Sequence, residues 1–312
     1  MKLATNANKL VELSVLGVIT HPIAPRAEYH ITGITGEPRV LPGMGGICYS
    51  HRVGDGCVDV VGDHVEPGVS TSNFNRDFGA KAAQAGYNTY ACIGNDATVV
   101  TGSARGAKGV VVGKHGGIEH VLIDFPPRTM RQLVVGDRVQ VRARGVGLEL
   151  TGIDGVQLFN CSPRLLDRLG LSRRRGKLRC PVTHVVPAKI MGSGLGKSSA
   201  HTGDYDIQMF DADVVADHGL ATLRFGDVVA IQDADSTFGR VFKTGAVTVG
   251  VVVHSVSVKA GHGPGVCTLL SSARGDIEPV VRADANLARI LGLRKGLFAP
   301  SRRRTSKRTK RG

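Results

Sequence analysis

Short valine-rich runs that follow Gly-Asp pairs are the feature that most limits how this chain of 312 residues folds. In Val135–Arg142 a Gly-Asp turn leads into a strict alternation of apolar and polar residues, and Phe225–Ile231 repeats the arrangement. Glycine permits the positive φ of tight turns, and alternation with period two is typical of a half-buried strand. The 42 glycines follow no G-X-Y period, so they indicate many turns rather than a collagen helix.

The predicted fold class is therefore α+β and β-rich, with mixed or antiparallel sheets, a barrel-like core and a few short helices. Further strands are predicted at Val11–Ile19, Thr98–Gly102, Gly109–Val112, Val121–Ile123, Gly147–Leu150, Thr183–Val186, Ala246–Val258 and Val266–Leu270. Helices are expected at Pro163–Leu169, Ala212–Leu223 and Asp284–Leu291. The first of these has Ser162 as its N-cap, proline at its first position and Gly170 at its end.

Charge divides the chain into parts. We expect a β-rich N-terminal part at 1–170, a polar basic hinge at 171–177, an α+β part at 178–298 and a disordered tail at 299–312. The formal net charge is +14, and seven of the last twelve residues are Lys or Arg while none is acidic. Such a tail is expected to contact nucleic acid weakly at most, and it is more simply explained as a solvated extension.

The remaining composition limits where the protein works. No apolar run reaches the 18 or so residues of a membrane span, and the N-terminus has no apolar signal region, so we expect a cytoplasmic protein without membrane contact. The six cysteines are far apart and include no C-x-x-C pair, so we expect reduced thiols. A homo-oligomer is allowed but not required.

Histidines and carboxylates occur together in glycine-rich segments. His64 and Glu66 share one face of an extended chain, a spacing that suits a metal pair or a base with its orienting carboxylate. His115 and His120 are five apart around Gly116-Gly117, so a loop must bring them together if they cooperate.

Later segments add aspartate pairs at 204/206 and 233/235, which suit a hard cation. Further along, His254 lies on a predicted strand, and His262 is bracketed by glycines and a proline. Each residue also has a purely structural explanation, because aspartate caps turns and histidine often serves as a hydrogen-bonded structural residue. Loops at one rim of a rigid sheet collect functional groups, so we expect one pocket to hold His64, Asp233, His254 and His262.

One segment is similar to a phosphate-binding loop. Met191–Ser199 ends in Gly-Lys-Ser, but Met191 stands where the P-loop pattern requires glycine, and no helical pattern follows. No nucleotide cofactor is expected. The segment can still be interpreted as a backbone nest for a smaller anion, and Gly192, Gly194, Gly196 and Lys197 would form that nest.

Glycine-anchored motifs in the chain resemble a prokaryotic family catalogued as domain of unknown function 4438. They are Arg39–Ile47, Gly62–Ser70, Gly113–Val121, Gly203–Ile207, Phe225–Asp233 and Ala260–Val266. The resemblance covers roughly residues 8 to 290 and implies no activity. A shorter stretch, with Gly-Asp at 54–55 and Gly-Asp-His at 62–64, resembles the metal-dependent, β-rich acetamidases and formamidases. That resemblance extends only to Asp63, His64 and Glu66.

The leading hypothesis is an intracellular, amidase-like hydrolase that uses a divalent metal to act on a small polar metabolite. Its expected metal ligands are Asp63, His64, Asp233 and His254. Its expected catalytic residues are His262 as acid or base, Glu66 and His115. The alternative is a non-catalytic protein that binds a small anion or metabolite through the same loops and the nest at 192–197.

Overall fold

The structure is a computed structural model that describes residues 3–23, 30–31, 35–73 and 80–298. The described strands are β1 (Leu13–Ile19), β2 (His30–Ile31), β3 (Pro38–Arg39), β4 (Ile47–Cys48), β5 (Gly68–Ser72), β6 (Asp96–Val99), β7 (Lys108–His115), β8 (His120–Asp124), β9 (Arg138–Ala143), β10 (Gln157–Leu158), β11 (Ser172–Arg174), β12 (Lys177–Val182), β13 (His184–Pro187), β14 (Val228–Asp235), β15 (Val241–Val252), β16 (Val266–Ser272) and β17 (Ile277–Val281). The described helices are α1 (Ala80–Tyr90), α2 (Pro127–Met130), α3 (Pro163–Arg168), α4 (Ala212–Asp217) and α5 (Leu287–Ile290). The predicted basic tail lies outside the described residues.

Six antiparallel strands close into a barrel. Their order is β1-β9-β6-β7-β8-β5, and the barrel closes where β5 pairs with β1 at Val18–Ser72 and Ile19–Thr71. In β9 buried and exposed residues alternate without exception, as the sequence predicts. The β-rich class, the antiparallel pairing and the barrel-like core are therefore confirmed.

Three smaller sheets complete the described fold. The largest has the order β10-β16-β15-β14-β13, and its last two strands run parallel. Another joins β11, β12 and β17, and a two-stranded sheet joins β2 and β3. The segment predicted as a hinge forms the exposed strand β11 and the turn into β12, and the turn residues Arg175 and Gly176 both have positive φ.

One of the three buried apolar clusters of the described residues crosses from the barrel to the five-stranded sheet. The barrel contributes Val112 and Leu122 to this cluster. The five-stranded sheet contributes Val251 and Leu269, and Val253 joins them from the residues just after β15. The side chain of Val253 occupies the space above the backbone of Gly113 on β7. We call this contact the seam. It brings loops from distant parts of the chain against one another.

The helices are short, and α3 follows its sequence signals, whereas α4 ends at Asp217 rather than at Leu223 and α5 begins at Leu287 rather than at Asp284. Ser162 caps α3 by accepting the Leu165 N–H at 3.1 Å, and Gly170 follows with positive φ. The strand predicted at Gly147–Leu150 does not form: Gly147 has positive φ, and only an isolated bridge joins Leu150 to Thr5. No helix of the described residues is both long and apolar enough to span a membrane.

Helix α1 packs on the barrel through one buried tyrosine. The Tyr87 hydroxyl shares a 2.6 Å hydrogen bond with the Thr71 hydroxyl, and the tyrosine ring lies against the bare backbone of Gly17 on β1. A Cβ at this position overlaps the ring, so glycine is required for the helix to approach this closely.

We predict that Gly17→Ala lowers the free energy of unfolding by about 1–3 kcal/mol, because the added methyl overpacks the contact with Tyr87. Urea denaturation followed by circular dichroism measures the change. Gly56→Ala is the matched control, because a Cβ there meets open space. Equal stability of the two variants would contradict this account of the packing.

Candidate metal centre

Four segments of the chain meet at the seam. They are 63–66 before β5, 115–120 at the β7–β8 turn, 204–206 in a loop, and 254–262 after β15. Segments 63–66 and 254–262 pair through their backbones: His64 N–H donates to Val256 O at 3.1 Å, and Ser255 N–H donates to Val65 O at 3.0 Å. Six side chains converge here, and we call them the His/Asp cluster: His64, His115, Asp204, Asp206, His254 and His262.

Asp63 orients the first histidine. Its Oδ1 accepts the Ser257 hydroxyl at 2.7 Å and the Val258 N–H at 3.1 Å, while its Oδ2 lies 3.2 Å from His64 Nδ1. Burial opposes ionisation of Asp63, but His64 and these donors outweigh it and hold the pKa of Asp63 below its ordinary value. With Nδ1 facing Asp63, His64 turns Nε2 toward the cluster.

Glu66 orients the second histidine. His115 and His120 lie directly opposite each other on β7 and β8, and both point Nδ1 at Glu66, at 2.6 and 2.9 Å. The same carboxylate accepts the Ser70 hydroxyl and the Gly45 N–H. Burial acts against the charge, yet the two histidines and their hydrogen bonds hold the pKa of Glu66 well below its usual range. In many metal sites a carboxylate behind the ligating histidine fixes the tautomer of that histidine in the same way.

Asp204 and Asp206 come from an extended segment that is hydrogen-bonded on both sides. Asp206 N–H donates to Ser193 O, and Ile207 N–H donates to Pro264 O, both at 2.9 Å. Residues two apart in an extended chain point the same way, which explains why both carboxylates face the cluster. Asp204 Oδ1 accepts the Gly116 N–H at 2.7 Å, so the β7–β8 turn fixes this side chain as well.

A buried lysine secures the start of that segment. Lys114 is fully buried and donates to Asn160 Oδ1 at 2.7 Å, His201 O at 2.9 Å and Thr89 O at 3.2 Å. Burial lowers the pKa of Lys114 from its ordinary value. Its contact with His201 ties the loop before Asp204 to β7, the strand that also carries His115.

The most informative contact in the cluster joins His254 to Asp204, at a short distance but without the alignment of a hydrogen bond. His254 Nδ1 donates to Ser255 O at 2.9 Å, so the neutral ring carries its lone pair on Nε2. That atom lies 2.6 Å from Asp204 Oδ2, but within the described part of the chain neither atom has a properly aligned hydrogen-bond partner. Burial opposes protonation of His254, but Asp204 and Asp206 outweigh it and raise the pKa of His254 well above its ordinary value. The buried Asp204 carboxylate therefore needs a cation beside it, which in the metal-free protein is protonated His254 and which a metal ion bound by both side chains could replace.

The cluster contains three overlapping sets of candidate metal ligands, and within each set the ligand atoms lie within 4.8 Å of one another. The sets are His64, His115 and His254; His64, Asp206 and His262; and Asp204, Asp206 and His254. Imidazole and carboxylate together suit zinc, iron, nickel or manganese rather than calcium. All members are buried except His262, whose side chain is 32% exposed.

The structure brings His64, His254 and His262 together, but it places Asp233 elsewhere. Asp233 occupies a β-bulge on β14 with φ of 60°, and its Oδ1 accepts the Gly245 N–H of β15 at 2.7 Å, so it joins the two strands at the bulge. Asp204 and Asp206 are the aspartates of the cluster, although they were not named among the expected ligands. They share the i, i+2 spacing of the 233/235 pair, and spacing alone does not distinguish the two pairs.

The Gly192–Lys197 segment forms one wall of a cleft of about 420 Å³ that leads to the cluster. Five of its backbone amides donate to carbonyl oxygens of Asp206, Gly261, Gly192, Arg240 and Gly194. These amides are therefore not available to an anion. Lys197 lines the cleft, with Nζ 3.3 Å from Glu119, and Lys259 lines it as well.

The fold and this cluster define a β-barrel protein with a candidate metal centre. The chain belongs to the DUF4438 family: residues 29–167 match "Domain of unknown function (DUF4438), N-terminal" and residues 168–291 match the C-terminal domain of the same family. The resemblance noted from the sequence is thus confirmed. The likeness to acetamidases and formamidases gains no support from these matches.

A crystal structure of the protein TM1086 is similar over almost the whole chain. The two chains share 41% sequence identity with a TM-score of 0.86, and the match covers 92% of this chain and 99% of TM1086. No curated protein matches the chain.

We predict that Glu66→Gln lowers the free energy of unfolding of the metal-free protein by about 2–4 kcal/mol, because glutamine cannot accept from two histidines, a hydroxyl and an amide at once. Chemical denaturation in the presence of a chelator measures this. The control is Glu278→Gln, which removes a partly exposed ion pair with Arg179 and is expected to change stability by less than about 1 kcal/mol. A Glu66→Gln protein as stable as this control would contradict the orienting role.

Proposed function

We propose that this protein is a metal-dependent hydrolase that acts on a small, polar, negatively charged metabolite. The observation that carries the proposal is the buried contact of His254 Nε2 with Asp204 Oδ2, which no aligned hydrogen bond joins and which lies within a cluster of further ligands. A metal ion bound by both atoms would take the place of the proton on Nε2.

A divalent ion held by the His/Asp cluster would lower the pKa of water to near neutrality and polarise a carbonyl or phosphoryl oxygen. The residues of the chain supply the rest. Asp63 and Glu66 hold the rings of His64 and His115 in one orientation, and His262 reaches the cleft. The predicted acid or base role of His262 falls to its Nε2, because its Nδ1 lies 3.0 Å from Asp206 Oδ2.

The charges in the cleft support an anionic substrate. Lys197 and Lys259 line it together with glycines of two loops, which leave the backbone accessible. Glu119 partly balances Lys197, whereas no carboxylate pairs with Lys259 among the residues that the structure describes. A substrate carboxylate or phosphate would occupy this position, with its scissile bond toward the cluster.

The alternative remains a non-catalytic protein that binds a small anion in the same cleft. Because the amides of Gly192–Lys197 already donate to carbonyl oxygens, they do not form a backbone nest, but Lys197 and Lys259 suit either function. Measurable turnover of a substrate distinguishes the hydrolase from the binding protein. A cytoplasmic location, a homo-oligomer and weak nucleic-acid contact through the tail remain predictions from the sequence.

We predict that protein stripped with a chelator rebinds Zn²⁺ or Mn²⁺ and then hydrolyses members of a panel of anionic amides, esters and phosphate esters. His254→Ala is expected to lower metal affinity by at least about 100-fold, since each ligand contributes several kcal/mol. Equilibrium dialysis with elemental analysis gives the affinity, and His218→Ala outside the cluster is the control. Tight metal binding without any turnover would favour the binding protein. Absence of metal binding would overturn the proposal.

We predict that Lys259→Met raises KM for anionic substrates by about 10-fold or more and leaves KM for neutral analogues unchanged, since one lost ion pair at a partly buried site is worth over 1 kcal/mol. Steady-state kinetics on paired substrates measures this. Lys243→Met, on the exposed part of β15, is the matched control. Equal effects on charged and neutral substrates would contradict recognition of the anion by Lys259.

A further inference from the structure

The His/Asp cluster contains more ligands than one ion needs, and Asp206 divides them into two groups. Its Oδ1 faces inward and lies 3.6 Å from His254 Nε2. Its Oδ2 faces the cleft and lies 3.0 Å from His262 Nδ1 and 3.7 Å from His64 Nε2. A carboxylate whose oxygens face separate groups of ligands is arranged as a bridge.

We infer that two divalent cations bind side by side in this cluster, bridged by the Asp206 carboxylate; the inference rests on the proposed function and specifies its metal content. The inner ion is bound by Asp204 Oδ2, His254 Nε2 and Asp206 Oδ1. The outer ion is bound by His64 Nε2, His262 Nδ1 and Asp206 Oδ2. Ions bridged in this way lie about 3.5–4 Å apart in two-metal hydrolytic sites.

The distances in the outer group fit one ion. His64 Nε2 and His262 Nδ1 are 3.0 Å apart, and the remaining two separations to Asp206 Oδ2 are 3.0 and 3.7 Å. Ligands bound at about 2.1 Å to one first-row metal are separated by about 3.0 to 3.4 Å at neighbouring positions. Two of the three separations match this spacing, and the 3.7 Å between His64 Nε2 and Asp206 Oδ2 is slightly wider.

The inner group is buried, whereas the outer group borders the cleft. The centroid of the His115 ring lies 4.2 Å from that of His254 and 5.6 Å from that of His64, and its candidate ligand set contains these two histidines rather than the aspartates. The three inner ligands are all buried. The outer ion has three protein ligands and borders the cleft, which leaves positions for water and substrate. In this assignment His262 is a metal ligand, which replaces the acid or base role predicted for it.

The test counts ions. Metal-free protein is loaded with Mn²⁺ and dialysed, and elemental analysis is expected to find two ions per chain. Electron paramagnetic resonance is expected to show an exchange-coupled pair, rather than the six-line signal of isolated Mn²⁺. His262→Ala, at the exposed edge of the cluster, is expected to retain one ion and to lose the coupled signal, while His218→Ala retains both.

The outcomes separate this inference from the proposed function. One ion per wild-type chain with hydrolysis intact overturns the pair of ions and leaves the hydrolase standing. Two coupled ions without hydrolysis of any substrate support the pair and count against the hydrolase. Two uncoupled ions overturn the Asp206 bridge. Because the wild-type protein gives these results, they do not depend on whether the His262→Ala variant folds.

Discussion

Buried carboxylates in contact with histidine rings hold the loops of this protein in place. Removing a charged carboxylate from water is unfavourable by several kcal/mol unless donors or cations replace the lost hydration. Glu66 meets this requirement with two histidines, a hydroxyl and an amide, and Asp63 with a serine, an amide and His64. Each carboxylate thereby joins segments that are remote in sequence, and the loops that carry the candidate ligands have little freedom to move.

The barrel and the second sheet provide the rigid frame for these contacts. His115 and His120 are fixed by the register of β7 and β8, and His254 follows directly on the buried end of β15. Lys114 adds a clamp from β7 to the loop before Asp204. A site whose loops are held by strand register and by buried hydrogen bonds keeps its candidate ligands close to one geometry, which would favour tight metal binding and limit reorganisation during a reaction.

Much of the fold could be predicted from the sequence, because strand alternation and turn chemistry are local properties. The run before Arg142 and the cap at Ser162 are examples in which a few neighbouring residues determine the structure. The convergence of His64, His254 and His262 was predicted from their positions at strand ends. The choice between two aspartate pairs was not predictable, because it depends on which loop faces the seam, and that is decided by packing between distant strands. The same limit applies to Gly147–Leu150, where the apolar residues predict a strand but the structure has only an isolated bridge at Leu150.

The distribution of the ligands along the chain has a consequence for synthesis. Two of the three candidate ligand sets combine residues from both family domains, the third lies wholly in the second domain, and the last ligand, His262, lies 198 positions after His64. A nascent chain that has exposed only its first domain presents His64 and His115 without Asp204, Asp206 or His254. It therefore lacks a complete site. A metal ion at this site would be captured only after the second domain has been synthesised and has docked on the first, which would make loading with metal a late step of maturation.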